Sequence, residues 1–417
     1  MTKTSKSSRT SPYEPSQEVM DKYADVLVNF ALNRGKGIKR GDVVVLNAPE
    51  AAKPLFVAAR NAILRAGGHV ISQYIPSDED RYHYSRDFFT LSKIHQIEFV
   101  PKKYLKGLVD DMDHLLFILA DTEPHALSGT PPKKIMKRGE AMKPYKEWRR
   151  QKENKGKLSW TIALYTTGAM AHEAGLSEKA YWNQIIRACF LDEEKPKQVW
   201  KRVYREMSLY EKKLNALSPK VDRLHVEGAD ADLWITLGEN RRWLSGRGAN
   251  IPSFEIFTSP DWRGTEGWIR FNQPLYRYGT RIEGVELEFK NGRVVKSRAA
   301  NNQQVLRSMI ATPGADKVGE FSLTDKRHSR ITKFMAETLY DENVGGPQGN
   351  THIALGSSYE DTFNGDVSKL TKAKSKALGF NDSSVHTDIV STTKRRVTAH
   401  LRDGREQVIY ENGSFVL

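Results

Sequence analysis

A strand–helix–strand pattern between residues 42 and 75 constrains the fold more than any other feature of the sequence. DVVVLNAP (42–49) is apolar and rich in valine, as expected of a buried strand. AAKPLFVAARNAILRAGG (51–68) follows with Pro54 in its first turn and two glycines at its end, which are typical start and stop signals of a helix. HVISQYI (69–75) is then a second strand. Two strands joined by a helix run parallel, so the pattern predicts a parallel sheet.

The first half of the chain contains further segments that fit this architecture. HLLFILAD (114–121) and LSWTIALYTT (158–167) look like additional strands. From about residue 172 to residue 217, apolar residues recur at helical spacing. We therefore predict an N-terminal α/β domain with a parallel sheet over residues 1–217.

The second half changes character near residue 218, where LSPKVDR supplies a proline and polar residues. Several of its segments alternate apolar and polar residues in the manner of strands: 231–238, 284–299 and 396–417. Three dipeptides are typical of tight hairpin turns, in which both residues need a positive φ: Asn291-Gly292, Asp403-Gly404 and Asn412-Gly413. The predicted fold class is therefore α/β plus α+β, with a C-terminal antiparallel-β and helix domain over residues 218–417.

The composition limits the functions that the chain can have. Cys189 is the single cysteine, which excludes an internal disulfide and a cysteine-based zinc site and fits a reducing cytoplasm. No apolar run approaches the ~20 residues that a membrane-spanning helix needs. The polar, basic start (1–17) lacks the apolar core of a secretory signal and is expected to be a frayed arm. We expect a cytoplasmic protein without a membrane partner, whose metal ligands come from His, Asp and Glu.

The formal net charge of +14 concentrates in one segment, residues 133–157. It holds eleven Lys and Arg against three Glu, a net charge of 11 − 3 = +8, and Tyr145 and Trp148 lie among them. This mixture is compatible with nonspecific binding to nucleic acid. No fold signature of a nucleic-acid-binding domain accompanies it, so we interpret the segment as a solvated basic helix and loop.

Several histidines and carboxylates are candidates for a functional site. His386 and Asp388 are separated by one residue in NDSSVHTDIV, and in a strand they would point to the same face. They could share a metal ion, or form an ion pair, or simply face solvent. His114 lies in the acidic stretch DDMDHLL, which has the composition of a metal site, but its place before an apolar strand favours a solvated loop.

Two glutamates and one further histidine lie in apolar surroundings. Glu255 is flanked by Phe254 and Ile256, and Glu320 opens the apolar segment GEFSL. Burying a carboxylate is costly unless it is paired or bound to a metal, although an outward-facing Glu on a strand would cost little. His352 precedes Tyr359 by seven residues, a spacing that brings them together in a helix and separates them in a strand.

Taken together, these residues form a ligand set of two Glu, two His and one Asp. Five such groups exceed the three that a single catalytic zinc usually takes from the protein. They suit two divalent ions ~3.5–4 Å apart that share a water molecule. The chemistry implied is hydrolysis of an amide or of a phosphoester.

The sequence also resembles a known family, the metal-dependent aminopeptidases typified by aminopeptidase T and aminopeptidase S. The resemblance covers nearly the whole chain and follows the family's order of motifs. It includes these segments: YEPSQEVMDKYADVLVNFAL, LSWTIALYTTGAMAHEAGLSEKAYW, NIPSFEIFTSP, GEFSL, HIALGSSY and VHTDIV. Two departures stand out. Ser253 and Phe254 replace glycines that often precede the first glutamate, and the loop before His352, VGGPQGNT, is longer than in the family's compact pattern.

The resemblance assigns roles to individual residues. It implies two divalent metal ions (zinc, cobalt or manganese) and five metal ligands: Glu255, Glu320, His352, His386 and Asp388. Asp388 is the expected bridge between the ions. Glu320 is expected to move the proton from water to the leaving amine, and Tyr359 to donate a hydrogen bond to the developing oxyanion.

The implied function is a metalloaminopeptidase that removes N-terminal residues from short peptides. The resemblance further implies a homodimer whose active sites open into a restricted internal space, and the single cysteine fits a cytoplasmic location. Two alternatives remain open from the residues alone: a dinuclear-metal phosphoesterase, and a basic nucleic-acid-binding protein with a relic metal site. Nucleic acid is nevertheless not the expected partner, despite segment 133–157.

Overall fold

The computed structural model describes residues 13–79, 81–246 and 248–417. Residues 1–12, most of the expected frayed arm, lie outside the described residues. Within the described ranges, no helix combines the length and the apolar character needed to cross a membrane.

A parallel sheet forms the centre of the first half, as the sequence predicts. Its strands are β1 (Val43–Pro49), β2 (His69–Ile75), β3 (His114–Leu119) and β4 (Ser159–Leu164). They are arranged in the order β2-β1-β3-β4, and every neighbouring pair runs parallel. The valine-rich run of β1 is buried in its middle, as expected of a strand covered on both faces.

Helices cover both faces of this sheet. In chain order they are α1 (Gln17–Val26), α2 (Leu32–Gly35), α3 (Lys53–Arg65), α4 (Tyr84–Leu91), α5 (Ile94–Ile97), α6 (Lys102–Asp111), α7 (Pro132–Ala141), α8 (Lys143–Asn154), α9 (Gly168–Glu173), α10 (Glu178–Ala188) and α11 (Pro196–Leu217). A π-helical turn (Leu27–Ala31) continues α1, and 3₁₀ turns precede α3 (Glu50–Ala52) and follow α11 (Ser218–Lys220). The main core includes residues of α1, α3 and α11, whereas α6 and α8 pack on a smaller cluster at the other face.

His114 corrects one expectation from the sequence, because it is buried and does not lie in a solvated loop. It is the first residue of β3, with Nε2 2.9 Å from Asp42 Oδ2 and Nδ1 2.8 Å from Ser159 Oγ. Both partners are distant in sequence, and they satisfy the imidazole in the interior of the sheet. His114 therefore has a structural role.

The basic segment 133–157 forms the two half-buried helices α7 and α8, so its interpretation as a solvated helix and loop is wrong in part. Three of its cations meet carbonyl groups at the C-terminal ends of other helices. Lys134 reaches the end of α4, and Arg138 the end of α5. Lys152 Nζ donates to the carbonyl oxygens of Val109, Asp110 and Met112 at the end of α6. A cation at this position satisfies unpaired carbonyls and interacts favourably with the helix dipole.

The second half is dominated by short strands. They are β5 (Val221–Gly228), β6 (Ala231–Thr236), β7 (Leu244–Ser245), β8 (Asn250–Ile251), β9 (Glu255–Thr258), β10 (Asp261–Arg270), β11 (Leu275–Arg277), β12 (Thr280–Ile282), β13 (Glu286–Lys290), β14 (Arg293–Arg298), β15 (Val318–Thr324), β16 (Asn350–Gly356), β17 (His386–Ser391), β18 (Arg396–Leu401), β19 (Glu406–Glu411) and β20 (Ser414–Phe415). Three helices accompany them: α12 (Gln303–Ile310), α13 (Thr338–Asp341) and α14 (Lys372–Ala377). There are also 3₁₀ turns at Glu360–Thr362 and Val367–Lys369.

These strands build two larger antiparallel sheets and one hairpin. The eight-stranded sheet has the order β14-β13-β10-β6-β5-β18-β19-β20, and β11 pairs with β12. The three expected hairpin turns join β13 to β14, β18 to β19 and β19 to β20. Both residues have positive φ at Asn291-Gly292 and Asn412-Gly413, whereas at Asp403-Gly404 only the glycine does. The antiparallel character of this half is as predicted.

The two halves share structure. The short strand β8 pairs parallel with β4, so it extends the sheet of the first half to five strands. Three residues after β8, the ring of Phe254 stacks on Trp200 of α11 at a centroid distance of 5.3 Å. One continuous hydrophobic core runs through both halves. The division into domains at residues 217 and 218 stays a prediction, at a point between the end of α11 and the start of β5.

Candidate metal centre

A five-stranded antiparallel sheet, which we call the site sheet, carries all five of the ligands expected from the sequence. Its order is β17-β16-β15-β9-β7. Glu255 begins β9, Glu320 lies in β15 and His352 lies in β16, whereas His386 and Asp388 lie in β17. The ligands thus come from four adjacent strands.

The strand register places these side chains on the same face. Ala354 in β16 lies opposite both Glu320 and Asp388, and His352 lies opposite Ser322. Because successive residues of a strand alternate between faces, residues two apart share a face. His386 and Asp388 therefore point to the same side, as their spacing indicates. Glu255 joins them, since its Oε2 accepts a hydrogen bond of 2.9 Å from Ser322 Oγ.

The side-chain atoms converge on a small volume. His352 Nε2 lies 3.2 Å from Glu255 Oε2 and 3.5 Å from Glu320 Oε1. His386 Nε2 lies 3.4 Å from the other oxygen of Glu320 and 3.5 Å from Asp388 Oδ1. The two oxygens of Glu320 thus face different imidazoles.

Hydrogen bonds orient both imidazoles. His386 Nδ1 lies 2.8 Å from the carbonyl oxygen of Ser357, so Nδ1 carries a proton and Nε2 is the nitrogen directed at the carboxylates. His352 Nδ1 lies 3.5 Å from Asn350 Oδ1. Its Nε2 is buried and makes no hydrogen bond, despite the two nearby carboxylates. A buried nitrogen of this kind fits a metal ligand.

Burial and neighbouring charges change the proton affinities of these groups. Burial alone lowers the pKa of His352, but Glu255 and Glu320 outweigh it and hold that pKa well above its ordinary value. Burial also lowers the pKa of His386, but Asp388 and Glu320 outweigh it and hold that pKa well above its ordinary value. For Glu255, burial raises the pKa. Burial would also raise the pKa of Asp388, but the neighbouring His386 lowers it overall. Several carboxylates that are buried close together repel one another, and a bound cation would offset this repulsion.

Glu342 is a further candidate ligand that the sequence did not single out. It directly follows α13 and is 6% exposed. A ligand atom of Glu342 lies within 4.8 Å of ligand atoms of His352 and Asp388. Burial raises its pKa well above the ordinary value, and Glu255 and Asp388 add to the rise. The signal in the sequence was the acidic pair Asp341-Glu342, ten residues before His352.

The described residues contain three groups of three ligands that could each hold a cation. These groups are Glu255, Glu320 and His352; Glu320, His386 and Asp388; and Glu342, His352 and Asp388. Within each group the ligand atoms lie within 4.8 Å of one another. Oxygen and imidazole ligands without sulfur accept zinc, cobalt and manganese. The donor set and the unsatisfied Nε2 of His352 therefore fit divalent metal binding.

Tyr359 lies beside this centre. It is 37% exposed, and its ring centroid is 4.7 Å from that of His386. Its backbone N–H donates to Ser259 Oγ at 2.8 Å, which fixes the loop after β16. His352 is in a strand, where the spacing alone would separate the two residues, and the loop brings Tyr359 back to the site.

A cavity of 630 Å³, which we call the metal cavity, opens onto the site. Four of the five expected ligands line it, all but His352, and so do Glu153 and Glu337. Among the described residues, four cations also line it: Arg34, Arg150, Lys155 and Arg242. Burial raises the pKa of the carboxyl groups of Glu153 and Glu337 to about 7. Trp160 Nε1 donates to Glu153 at 2.8 Å. The cavity has room for a small ligand, and its wall outside the ligand groups carries both carboxyl groups and cations.

Comparison with known proteins shows which family the chain belongs to. The family model for thermophilic metalloproteases (M29) matches residues 16–415. The chain belongs to the M29 metalloprotease family. The resemblance found in the sequence motifs is thereby confirmed.

Two relatives and one solved structure illustrate the extent of the likeness. Aminopeptidase PepS of Streptococcus thermophilus is 28% identical over 430 residues, covering 96% of this chain and 98% of that protein. Aminopeptidase T of Thermus thermophilus is 26% identical over 412 residues, covering 94% and 98%. The structure of wild-type AmpT from Thermus thermophilus matches with a TM-score of 0.79 at 24% identity, over 96% of this chain and all (100%) of that one. This M29 chain therefore shares the fold of AmpT.

The two departures from the family pattern have structural explanations in this M29 chain. Phe254 is buried against Trp200 and does not line the metal cavity, whereas the buried Ser253 does line it. The longer loop before β16 is closed by Asn350, whose Nδ2 donates to the carbonyl oxygens of Glu342 and Val344 at 2.6 and 3.1 Å. The loop thereby holds Glu342 close to the site sheet.

Proposed function

We propose that this chain is a metal-dependent aminopeptidase that removes N-terminal residues from short peptides. The observation that carries the proposal is the convergence of Glu255, Glu320, His352, His386 and Asp388 in a member of a metalloprotease family. The relatives named aminopeptidases match over nearly the whole chain, which supports exopeptidase activity. Membership of this family favours peptides over the phosphoesters and nucleic acids that the residues alone left open.

Two cations form part of the proposal. Glu255, Glu320 and His352 would hold one, and Glu320, His386 and Asp388 the other. Glu320 is a better bridge than Asp388, the expectation from the sequence, because each Glu320 oxygen faces a different imidazole. Zinc, cobalt and manganese all suit such ligands. When bound, the cations would lower the pKa of a shared water and polarise the scissile carbonyl.

Residues of the chain would carry the remaining steps. The Tyr359 hydroxyl is proposed to donate a hydrogen bond to the oxygen of the attacked carbonyl as negative charge develops on it. Glu320 is proposed to take a proton from water and pass it to the leaving amine through one of its oxygens, which would have to leave its cation, because a bridging carboxylate has no free oxygen. Glu153 and Glu337 line the metal cavity, and one of them is proposed to accept the free α-ammonium group of a peptide. Recognition of that group would explain selectivity for the N-terminal residue.

Hydrolysis of leucyl-p-nitroanilide by the purified protein tests this function. The metal-stripped protein is assayed alone and after addition of zinc, cobalt or manganese, with a phosphodiester as the rival substrate. Metal-dependent release of nitroaniline is expected, and His386→Ala should abolish it while the circular dichroism spectrum is retained. Full activity of that variant, or hydrolysis of the phosphodiester alone, would contradict the proposal.

The homodimer implied by the resemblance and the expected cytoplasmic location stay predictions. Sedimentation of the full chain measures the oligomeric state directly. Cys189 is buried, and burial raises the pKa of its thiol to about 12, so it is protected from oxidation.

A further inference from the structure

A second cavity, of 300 Å³, lies beside the metal cavity and shares Arg150, Ser358, Tyr359 and His386 with it. Basic side chains dominate its wall: Lys143, Lys146 and Arg150 from α8, and Arg277 from β11. We call it the basic cavity. Segment 133–157, which had no role in the expected chemistry, thus contributes to a space next to the metal centre.

Among the described residues, two acidic side chains line the basic cavity, and each is already paired with a lysine. Asp382 lies 2.9 Å from Lys143, and Glu147 lies 2.9 Å from Lys372. Neither carboxylate therefore compensates the remaining cations. Arg150 has a partner outside the basic cavity at a distance of 3.8 Å.

Lys146 and Arg277 lack counter-charges. Neither forms an ion pair with any carboxylate in the part of the chain that the structure describes. Arg277 Nε is buried and has no hydrogen-bond partner among the described residues, and the guanidinium lies 4.7 Å from the ring of Tyr278. Burial lowers the pKa of Lys146, and the positive charges of Arg277 and Arg149 lower it further. Two neighbouring cations that lack a bound anion form a binding site for an anion.

We propose that the basic cavity binds a carboxylate of the peptide substrate, on the carboxyl side of the bond that is cut. The proposal rests on the proposed aminopeptidase function. The two cavities meet at Tyr359 and His386. Glu153 and Glu337 of the metal cavity suit the positive end of a molecule, the cations Lys146 and Arg277 of the basic cavity suit a negative end, and a short peptide has both ends. The carboxylate is either the C-terminus of a dipeptide or tripeptide, or the side chain of an acidic second residue.

Paired substrates with and without the carboxylate distinguish these sources. Leucyl-glycine is compared with leucyl-glycinamide for the C-terminal carboxylate, and leucyl-glutamate amide with leucyl-glutamine amide for the side chain. Lys146→Gln and Arg277→Gln are each compared with wild type. Lys137→Gln is the matched control, because it removes one charge from the same basic segment at a residue paired with Glu98, away from the basic cavity.

Each cavity variant should lower the preference for the acid over its amide about tenfold, chiefly by raising KM for the acid. The reason is that the interaction of a partly exposed cation with a carboxylate changes affinity by about that factor. The preference of wild type should also fall with added salt. Lys137→Gln should keep the wild-type preference. An unchanged preference in both cavity variants, or equal losses for acid and amide, would overturn the carboxylate site.

A binding measurement separates this inference from the proposed function. N-acetyl-leucyl-glycine has no free α-amine, so an aminopeptidase does not consume it. Calorimetry should show that wild type binds it more tightly than its amide, and that Lys146→Gln or Arg277→Gln removes the difference. Wild type that binds the acid selectively but hydrolyses no peptide would refute the function alone. Equal binding of acid and amide by active enzyme would refute the carboxylate site alone.

Discussion

Glu342→Gln would remove one negative charge from the metal centre while keeping the length of the side chain. Glu342 Oε1 accepts hydrogen bonds from Asn250 Nδ2 at 3.2 Å and from Asn343 Nδ2 at 3.4 Å. The carbonyl oxygen of glutamine can accept both, so the fold should survive the change. The substitution therefore tests whether Glu342 is a metal ligand.

The expected loss can be estimated from metal linkage. Losing an outer-shell partner of a metal costs 10- to 100-fold in affinity, so a factor of about 100 is reasonable for a ligand. At a metal concentration of ~100 times the wild-type Kd, binding stabilises the wild type by ~2.7 kcal/mol and the variant by only ~0.4 kcal/mol. For 417 residues the unfolding entropy is ~0.9 kcal/mol/K, so the metal-dependent rise in Tm should shrink by ~2.6 °C.

Without metal, the same substitution should have the opposite effect. Glu342 is buried, and Glu255 and Asp388 lie close enough to raise its pKa further. An acid whose pKa is higher in the folded state than in the unfolded state destabilises the fold at neutral pH. Glu342→Gln should therefore raise the Tm of the metal-stripped protein.

Differential scanning calorimetry of metal-stripped and metal-loaded protein measures both effects. Glu337→Gln is the matched control, because Glu337 is a glutamate of the same cavity that belongs to none of the three ligand groups. The control should keep the wild-type response to metal. The reasoning is refuted when Glu342→Gln shows the same metal-dependent rise in Tm as wild type.

Three further substitutions have defined outcomes. Tyr359→Phe should lower kcat ~10²–10³-fold with metal content unchanged, as expected for loss of an oxyanion donor; steady-state kinetics and metal analysis check this. Lys152→Met should lower the free energy of unfolding in urea by ~2 kcal/mol, because three carbonyl oxygens lose a charged donor; an unchanged midpoint would contradict it. Asp325→Asn should cost ~2 kcal/mol at pH 7. Burial would raise the pKa of Asp325, but the neighbouring Arg327 lowers it overall. The extra stability of wild type over Asp325→Asn should therefore be lost as the pH falls below ~4 and Asp325 becomes protonated. Urea unfolding at pH 7 and pH 3 compares the two proteins.

Local patterns were sufficient to predict much of the fold. The strands and helix of residues 42–75 follow from apolar runs and from Pro54 and the paired glycines, which act over a few residues. His114 shows where this approach fails. Its burial depends on Asp42, 72 residues earlier in the chain, and on Ser159, 45 residues later, and no local pattern contains that information.

The candidate site was partly predictable for a similar reason. The alternation of a strand is enough to place His386 and Asp388 on one face. Glu255, Glu320 and His352 were candidates because of their apolar surroundings, and the family resemblance assigned them as ligands. The register of the site sheet supplies the distances between them. Glu342 was missed because its position depends on the loop that Asn350 closes. Lys146 and Arg277 meet only through packing between the two halves of the chain, which sequence spacing does not reveal.

The pairing of β8 with β4 has a practical consequence for anyone who wishes to produce the halves separately. A fragment ending at residue 217 would leave β4 with unpaired backbone groups along one edge, which is a template for aggregation. The complementary fragment would contain Phe254 but lack Trp200, the aromatic residue on which the ring of Phe254 stacks. The full-length polypeptide is therefore the appropriate material for crystallisation and for enzymology.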